Sequence, residues 1–292
     1  MTTIFKNISV ALKGFLMGAA NVVPGVSGGT MALITGIYKD IVDALNSVME
    51  PATWKALRHG RFAEFWKCIN GTFLLWLCIG VLASVFSLAK LVTVALENYP
   101  VHIWALFFGL IIASSFIMLR DIKGWGIREI VFLVIGVILG LVVCNLSPAQ
   151  TPDAWWFIFL CGAVSICTMI LPGISGSFIL VILSKYDYVM NAVAVLDIKA
   201  LAIFGAGCVV GILAFSKFLH YLLDHYQKAT MIVLLGFVLG SLVKVWPWAN
   251  EAARQLPDPH YLDAALWCAI GIGVVILIEY FNRKIGKNQN ND

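Results

Sequence analysis

Two short segments of this sequence combine the residue types that bind anions. Pro24-Gly25-Val26-Ser27-Gly28-Gly29-Thr30 and Pro172-Gly173-Ile174-Ser175-Gly176-Ser177 each interrupt an apolar run with a proline, closely spaced glycines and hydroxyls. A Pro-Gly-x-Ser-Gly turn that opens a helix gathers backbone N–H groups without intrahelical partners at the positive end of the helix dipole. Such a helix end is an anion site. Gly25, Gly28, Gly29, Gly173 and Gly176 allow a ligand to approach the backbone, and Ser27, Thr30, Ser175 and Ser177 add hydroxyl donors. Glycines of this kind also serve tight helix packing or a kink. Two copies, each flanked by a short apolar arm, favour the binding role.

The elements that must hold these segments are set by composition. The 292 residues are 61% hydrophobic and 12% charged, with a mean hydropathy of +0.91, too little polar surface to coat a soluble core of this size. The chain belongs in a bilayer. A net charge of +4 without a basic block argues against nucleic acid as a partner. Seven cysteines are scattered singly with no CxxC spacing, so they read as small core residues; no metal site, disulfide framework or cofactor is expected. Lys6 ahead of an apolar stretch ending in Gly18-Ala19-Ala20 imitates a signal peptide, but Lys13 splits the stretch and Val22-Val23 continue it, so it is kept as mature structure.

Hydropathy predicts an all-α polytopic membrane protein built as two halves of one membrane domain. The first half, 1–146, has an apolar arm over 4–23, the first break, a second arm from Gly29 to Leu45, and spans near 72–96, 101–119 and 129–146. An insertion over 46–69 places Phe62, Phe65, Trp66 and Ile69 on one helical face among Lys and Arg, the pattern of an interfacial amphipathic segment. The second half, 154–281, repeats the plan with an arm over 154–171, the second break, a short arm, and spans near 199–223, 230–246 and 263–281; a tail, 282–292, follows. The short arms suggest re-entrant hairpins or broken helices. Hydropathy does not separate the two.

Residue identities tie the halves together. At an offset of 148, Pro24, Gly25, Ser27, Gly28 and Tyr38 match Pro172, Gly173, Ser175, Gly176 and Tyr186. At an offset of 127, Gly80, Lys90, Leu96, Tyr99, Gly109 and Ser114 match Gly207, Lys217, Leu223, Tyr226, Gly236 and Ser241, and Glu97 meets Asp224. The last spans pair only loosely. Three crossings per half make the repeat inverted. Lys and Arg then concentrate on the N-terminal side, which the positive-inside rule makes cytoplasmic for both termini. Lys90 and Lys217, charges at membrane depth, are candidate phosphate ligands, with snorkelling toward the headgroups as the alternative. Glu97 and Asp224 are candidate coupling carboxylates.

The stretch Asn21 to Thr30, its echo at Leu171 to Ser177, and the segments Lys90 to Tyr99 and Lys217 to Tyr226 resemble the bacterial undecaprenyl-phosphate translocases of the PopT type. The second copy has Ser177 where the first has Gly29, and Met169 where it has Asn21. The resemblance implies a protein of the bacterial cytoplasmic membrane. It would return undecaprenyl phosphate from the outer to the cytoplasmic leaflet for reuse in envelope polysaccharide synthesis. Two alternatives stand beside it. A carrier of a small soluble anion would use the same helix ends and would show an aqueous vestibule instead of apolar lateral openings. An intramembrane serine hydrolase would need a histidine from another span against Ser27 or Ser175. A purely structural membrane protein would have no need of paired interruptions.

Overall fold

In a hydrocarbon environment every backbone N–H and C=O must be satisfied within the protein, which leaves a chain this apolar the helix as its main solution. The computed structural model describes residues 3–22, 27–148, 151–249 and 261–289, and the regular structure in them is helical throughout. Pro24 and Gly25 lie outside the described residues, as do the side chains of Lys90 and Glu97. The first half contains α1 (Thr3–Val22), α2 (Gly28–Ile34), α3 (Tyr38–Ser47), α4 (Pro51–Arg58), α5 (Phe62–Cys68), α6 (Gly71–Asn98), α7 (Pro100–Asp121) and α8 (Ile127–Cys144). The second contains α9 (Trp155–Ile170), α10 (Gly176–Ile182), α11 (Tyr186–Ala194), α12 (Ile198–His225), α13 (Gln227–Val245) and α14 (Tyr261–Gln289).

Five helices, α6, α7, α8, α12 and α13, are long and apolar enough to cross a membrane, and α9 and residues 261–277 of α14 form shorter apolar stretches. The protein is a multi-pass membrane protein. Each short arm is two helices, not one. Gly36 (φ 73°) turns α2 into α3, and Ser184 (φ 52°) turns α10 into α11 at the same offset of 148. The insertion is likewise two helices, α4 and α5, folded on each other around Gly60 (φ 68°). Phe62 and Trp66 stay exposed, as an interfacial face requires.

The bundle has two ends. At the first, Lys228 Nζ donates to Gly124 O (2.7 Å) and Glu129 Oε1 (2.8 Å), and Lys39 Nζ reaches Asp224 Oδ1 (2.8 Å). At the second, His102 faces Asp263 (3.6 Å), and buried Lys185 donates to Thr151 O (2.9 Å) and Asp153 Oδ1 (2.7 Å). The unit α1–α3 leaves the first end and comes back to it, because Lys39 of α3 is tied to the last turn of α12. The unit α9–α11 leaves the second end and comes back to it, because Lys185 is tied to residues 151–153.

Helix packing repeats at the sequence offsets. Gly14 lies against the Leu77 carbonyl, and Gly162, 148 residues on, lies against that of Phe204, 127 beyond Leu77. Gly80 meets the Ala11 carbonyl, and Gly207 meets that of Phe159. The loosely paired last spans follow too: Gly136 meets the Val233 carbonyl and Gly271 meets that of Leu106, an offset of 135 on α8 and α14. These two helices change partners between halves, α8 packing on α13 and α14 on α7. Small residues that admit a neighbouring backbone are the usual means of close packing in lipid. Gly207→Ala puts a methyl into the Phe159 carbonyl, whereas Gly205→Ala, half a turn away, meets nothing within 4 Å. The first is expected to destabilise by about 1–3 kcal/mol, and the second to change stability by no more than about 1 kcal/mol in the stabilising direction. Thermal unfolding in detergent checks the contrast.

Candidate functional site

The two breaks meet. Ser27 caps α2: its Oγ accepts from Gly29 N (3.1 Å) and donates to Leu171 O (3.2 Å) of the other half. Gly173 N donates in return to Thr30 Oγ1 (2.7 Å). Gly173 has φ 94°, and a side chain there would press on Ser241 of α13, 2.8 Å from its Oγ. Gly29 runs past the second break so closely that an added Cβ would lie 2.7 Å from Ile170 O. Ser27, Gly28, Gly29, Thr30, Gly173 and Gly176 are all buried. Ser27, Gly29 and Thr30 of one half and Leu171 and Gly173 of the other are therefore brought to one place, at residues that interrupt two helices arriving from opposite ends.

The two copies differ in how their helix starts are satisfied. Gly28 N donates to Asn21 Oδ1 (2.8 Å) and Gly29 N to Ser27, so the α2 amides already have partners within the protein. In the second copy Met169 replaces Asn21 and offers only a weak thioether acceptor. Ser175 caps α10 through Phe178 N (3.3 Å), and its hydroxyl lies 3.1 Å from that of Ser177. Ser175 is half-buried and Ser177 exposed, so among the described residues of the breaks the accessible hydroxyls are on the second copy. Among the described residues, the hydrogen-bond partners of Ser27 and Ser175 are Gly29, Leu171, Ser177 and Phe178.

Lys217 is exposed on α12, beside buried Ser216, and points away from the bundle interior. The structure does not bring it to the breaks. Asp224 instead joins a cluster at the first end. Lys39 Nζ contacts Asp43 Oδ2 (2.9 Å) and Asp224 Oδ1 (2.8 Å), while His220 places Nδ1 2.8 Å from Asp43 and Nε2 3.1 Å from Asp224. Both ring nitrogens of His220 thus face carboxylates, and the Lys39 ammonium contacts the same two groups. Lys39, on a helix outside the membrane-spanning set, is held above its ordinary lysine range by its hydrogen bonds to Asp224 and then Asp43. Asp43, His220 and Asp224 are close enough together to hold a cation, a role the Lys39 ammonium already fills. A cavity of about 330 Å³ beside them is lined with Asp40, Asn46, Glu50 and Asn70.

Among the described residues this clasp has no counterpart in the other half. Asn191 and Thr93 stand where Asp43 and His220 would map. α3 packs along the end of α12, whereas among the described residues α11 packs on α12 and makes no comparable contact with α6. The matched tyrosines register the difference: Tyr38 is 2% exposed and Tyr186 37%. The structure is closed around the first hairpin and open around the second. At the open end lies a cavity of about 500 Å³ lined by Phe108, Cys144, Asn145, Leu242, Lys244 and Trp246, among others.

The profile of the undecaprenyl phosphate translocase-like family matches residues 17–259, a range that contains both breaks. A polyprenyl-phosphate transporter of Vibrio cholerae is 40% identical over 257 residues, 86% of this chain and 83% of its own length. The chain belongs to the undecaprenyl phosphate translocase-like family. A polyprenyl-phosphate transporter of Staphylococcus aureus is 31% identical over 261 residues, covering 83% of this chain and 87% of that protein. No solved structure matches the chain. Lys39, Asp43, His220 and Lys244 lie outside both breaks and outside the matched positions of the repeat. The first three carried a signal: Lys39 with Asp43, and His220 with Asp224, are i,i+4 pairs on one helix face each. Lys244 has no partner at the repeat offset, where Ile117 stands.

Proposed function

We propose that this chain returns undecaprenyl phosphate from the outer to the cytoplasmic leaflet of the bacterial cytoplasmic membrane, for reuse in envelope polysaccharide synthesis. It works by alternating access about the paired breaks. The observation that carries the reading is the lacing of the two breaks through Thr30–Gly173 and Ser27–Leu171, in two hairpins that return to opposite ends. The relatives' names supply the substrate class. Repeated glycine contacts support an inverted repeat, and the return of each unit to its own end supports re-entrant hairpins. Lys55, Arg58, Arg61, Lys67, Arg120, Lys123, Arg128 and Lys228 gather at the first end, which supports a cytoplasmic first end by the positive-inside rule.

A lipid monophosphate carries roughly one to two negative charges, and stripping its water without replacement donors is prohibitive. Breaks at the centre of the bundle supply hydroxyl and N–H donors where no water is at hand, while the polyprenyl tail remains in lipid. Gly25, Ser27, Gly28, Gly29, Thr30, Gly173, Ser175, Gly176 and Ser177 are the groups assigned to the headgroup. Release of Gly28 N, Gly29 N and Gly173 N from Asn21, Ser27 and Thr30 would let the phosphate take their place in turn. The apolar lining of the open-end cavity favours a lipid over a small soluble anion. Purified protein in liposomes is expected to move a labelled polyprenyl phosphate between leaflets. Equal transport by empty liposomes, or transport of inorganic phosphate in its place, would overturn the assignment.

A further inference from the structure

We infer that the open-end cavity is a capture site for the phosphomonoester headgroup of a prenyl lipid, with Lys244 as its cation. The inference rests on the substrate class proposed above and adds where that substrate first binds. Lys244 lies in the last turn of α13, one turn beyond Ser241, the residue that packs against Gly173 of the second break. It is half-buried in a wall otherwise made of Phe108, Leu242, Val243 and Trp246, with Cys144 and Asn145 from the end of α8. A lysine that only anchors a helix end extends its ammonium to the headgroup layer. Lys244 instead holds its Nζ over the Phe178 ring, 4.2 Å from the centroid, on the helix that Ser175 caps. A cation resting on a ring face is retained by attraction that a phosphate oxygen can outcompete.

Volume and lining agree with the ligand. About 500 Å³ is within the range of small-ligand pockets and takes a phosphate with its first isoprene units. One cation in an apolar wall complements an anionic head on a hydrocarbon tail. Asn145 lines the cavity and donates its Nδ2 to Leu141 O (2.8 Å), so its Oδ1 is the atom left to accept from a monoprotonated phosphate. Trp246 packs edge-on to Phe108 (5.3 Å between centroids) and against Trp248 (5.5 Å), an aromatic rim of the kind found at membrane interfaces. The absence of a second lysine at Ile117 confines this capture site to the non-cytoplasmic end. The consequence is one-sided loading: lipid arriving from the outer leaflet meets a cation one turn from the break, and lipid arriving from the cytoplasmic leaflet does not.

Binding of farnesyl phosphate to the full-length protein in detergent tests this directly, with inorganic phosphate and farnesol as the other ligands. Wild type is expected to bind farnesyl phosphate and neither of the others in the same range. Lys244→Met is expected to weaken farnesyl phosphate binding at least tenfold, Lys244→Arg by threefold or less, and Lys199→Met, an exposed lysine at the same end, not at all. In liposomes Lys244→Met is expected to raise the lipid concentration that half-saturates transport from the leaflet at the open end more than the one that half-saturates transport in reverse. If Lys244→Met binds and transports as wild type does while wild type moves polyprenyl phosphate, the capture site is wrong and the proposed function stands. Inorganic phosphate binding as tightly as farnesyl phosphate would make this a free-anion site and overturn the inference. Wild type that neither binds nor moves prenyl phosphates would remove both readings.

Discussion

Thr30→Val is expected to lower polyprenyl phosphate transport at least tenfold while the protein still inserts and folds. The side chain is 1% exposed and its Oγ1 is the acceptor for Gly173 N across the break interface. Valine keeps the shape and removes the acceptor, so a buried N–H loses its partner at a cost of about 1–3 kcal/mol. That cost falls on the contact that joins the two hairpins, and each 1.4 kcal/mol shifts an equilibrium about tenfold. Thr30→Ser retains the oxygen and is expected to transport within about threefold of wild type, a difference of roughly 0.6 kcal/mol. Rates in proteoliposomes, normalised to folded protein by thermal unfolding, separate the site effect from a general loss of stability. Full transport by Thr30→Val at normal abundance would remove the breaks from the transport path.

Much of this arrangement is written in local chemistry and so is readable from sequence. Proline and glycine interrupt an apolar helix by rules that hold anywhere, and a repeated offset carries the pairing of Ser27 with Ser175 across 148 residues. The spans lie within a few residues of α6, α7, α8, α12 and α13 because apolar length alone fixes them. What the sequence does not carry is direction across helices. Lys217 matches Lys90 and has the right depth, but its position beside buried Ser216 turns it outward, and that azimuth depends on which face α9 covers. The exchange of α8 and α14 between halves was hidden for the same reason, since a long and unequal connection changed the offset to 135. Asymmetry is the other silent property. Repeats emphasise what two halves share, and the clasp and Lys244 are what they do not share.

The clasp leads to the sharper test of alternating access. Lys39→Met removes the ammonium from between Asp43 and Asp224 and leaves His220 as the remaining side chain that contacts both. These side chains are 30–41% exposed, so solvent screens them and each pair contributes little on its own. Lys39 makes two such pairs. Their loss is expected to shift the balance away from the closed first end by roughly two- to thirtyfold. Hydrogen exchange reads this on each hairpin separately. If the two hairpins close in alternation, Lys39→Met speeds exchange over α3 and slows it over α11, because opening the first end lets the second hairpin pack on α6 as α3 now packs on α12. A merely local loosening would speed α3 and leave α11 unchanged, and a general destabilisation would speed both. Asp224→Asn should move the two hairpins in the same opposed directions, and the double variant should fall short of the sum of the singles, since both substitutions break one contact. Opposed exchange on α3 and α11 is the result that only a coupled pair of hairpins gives.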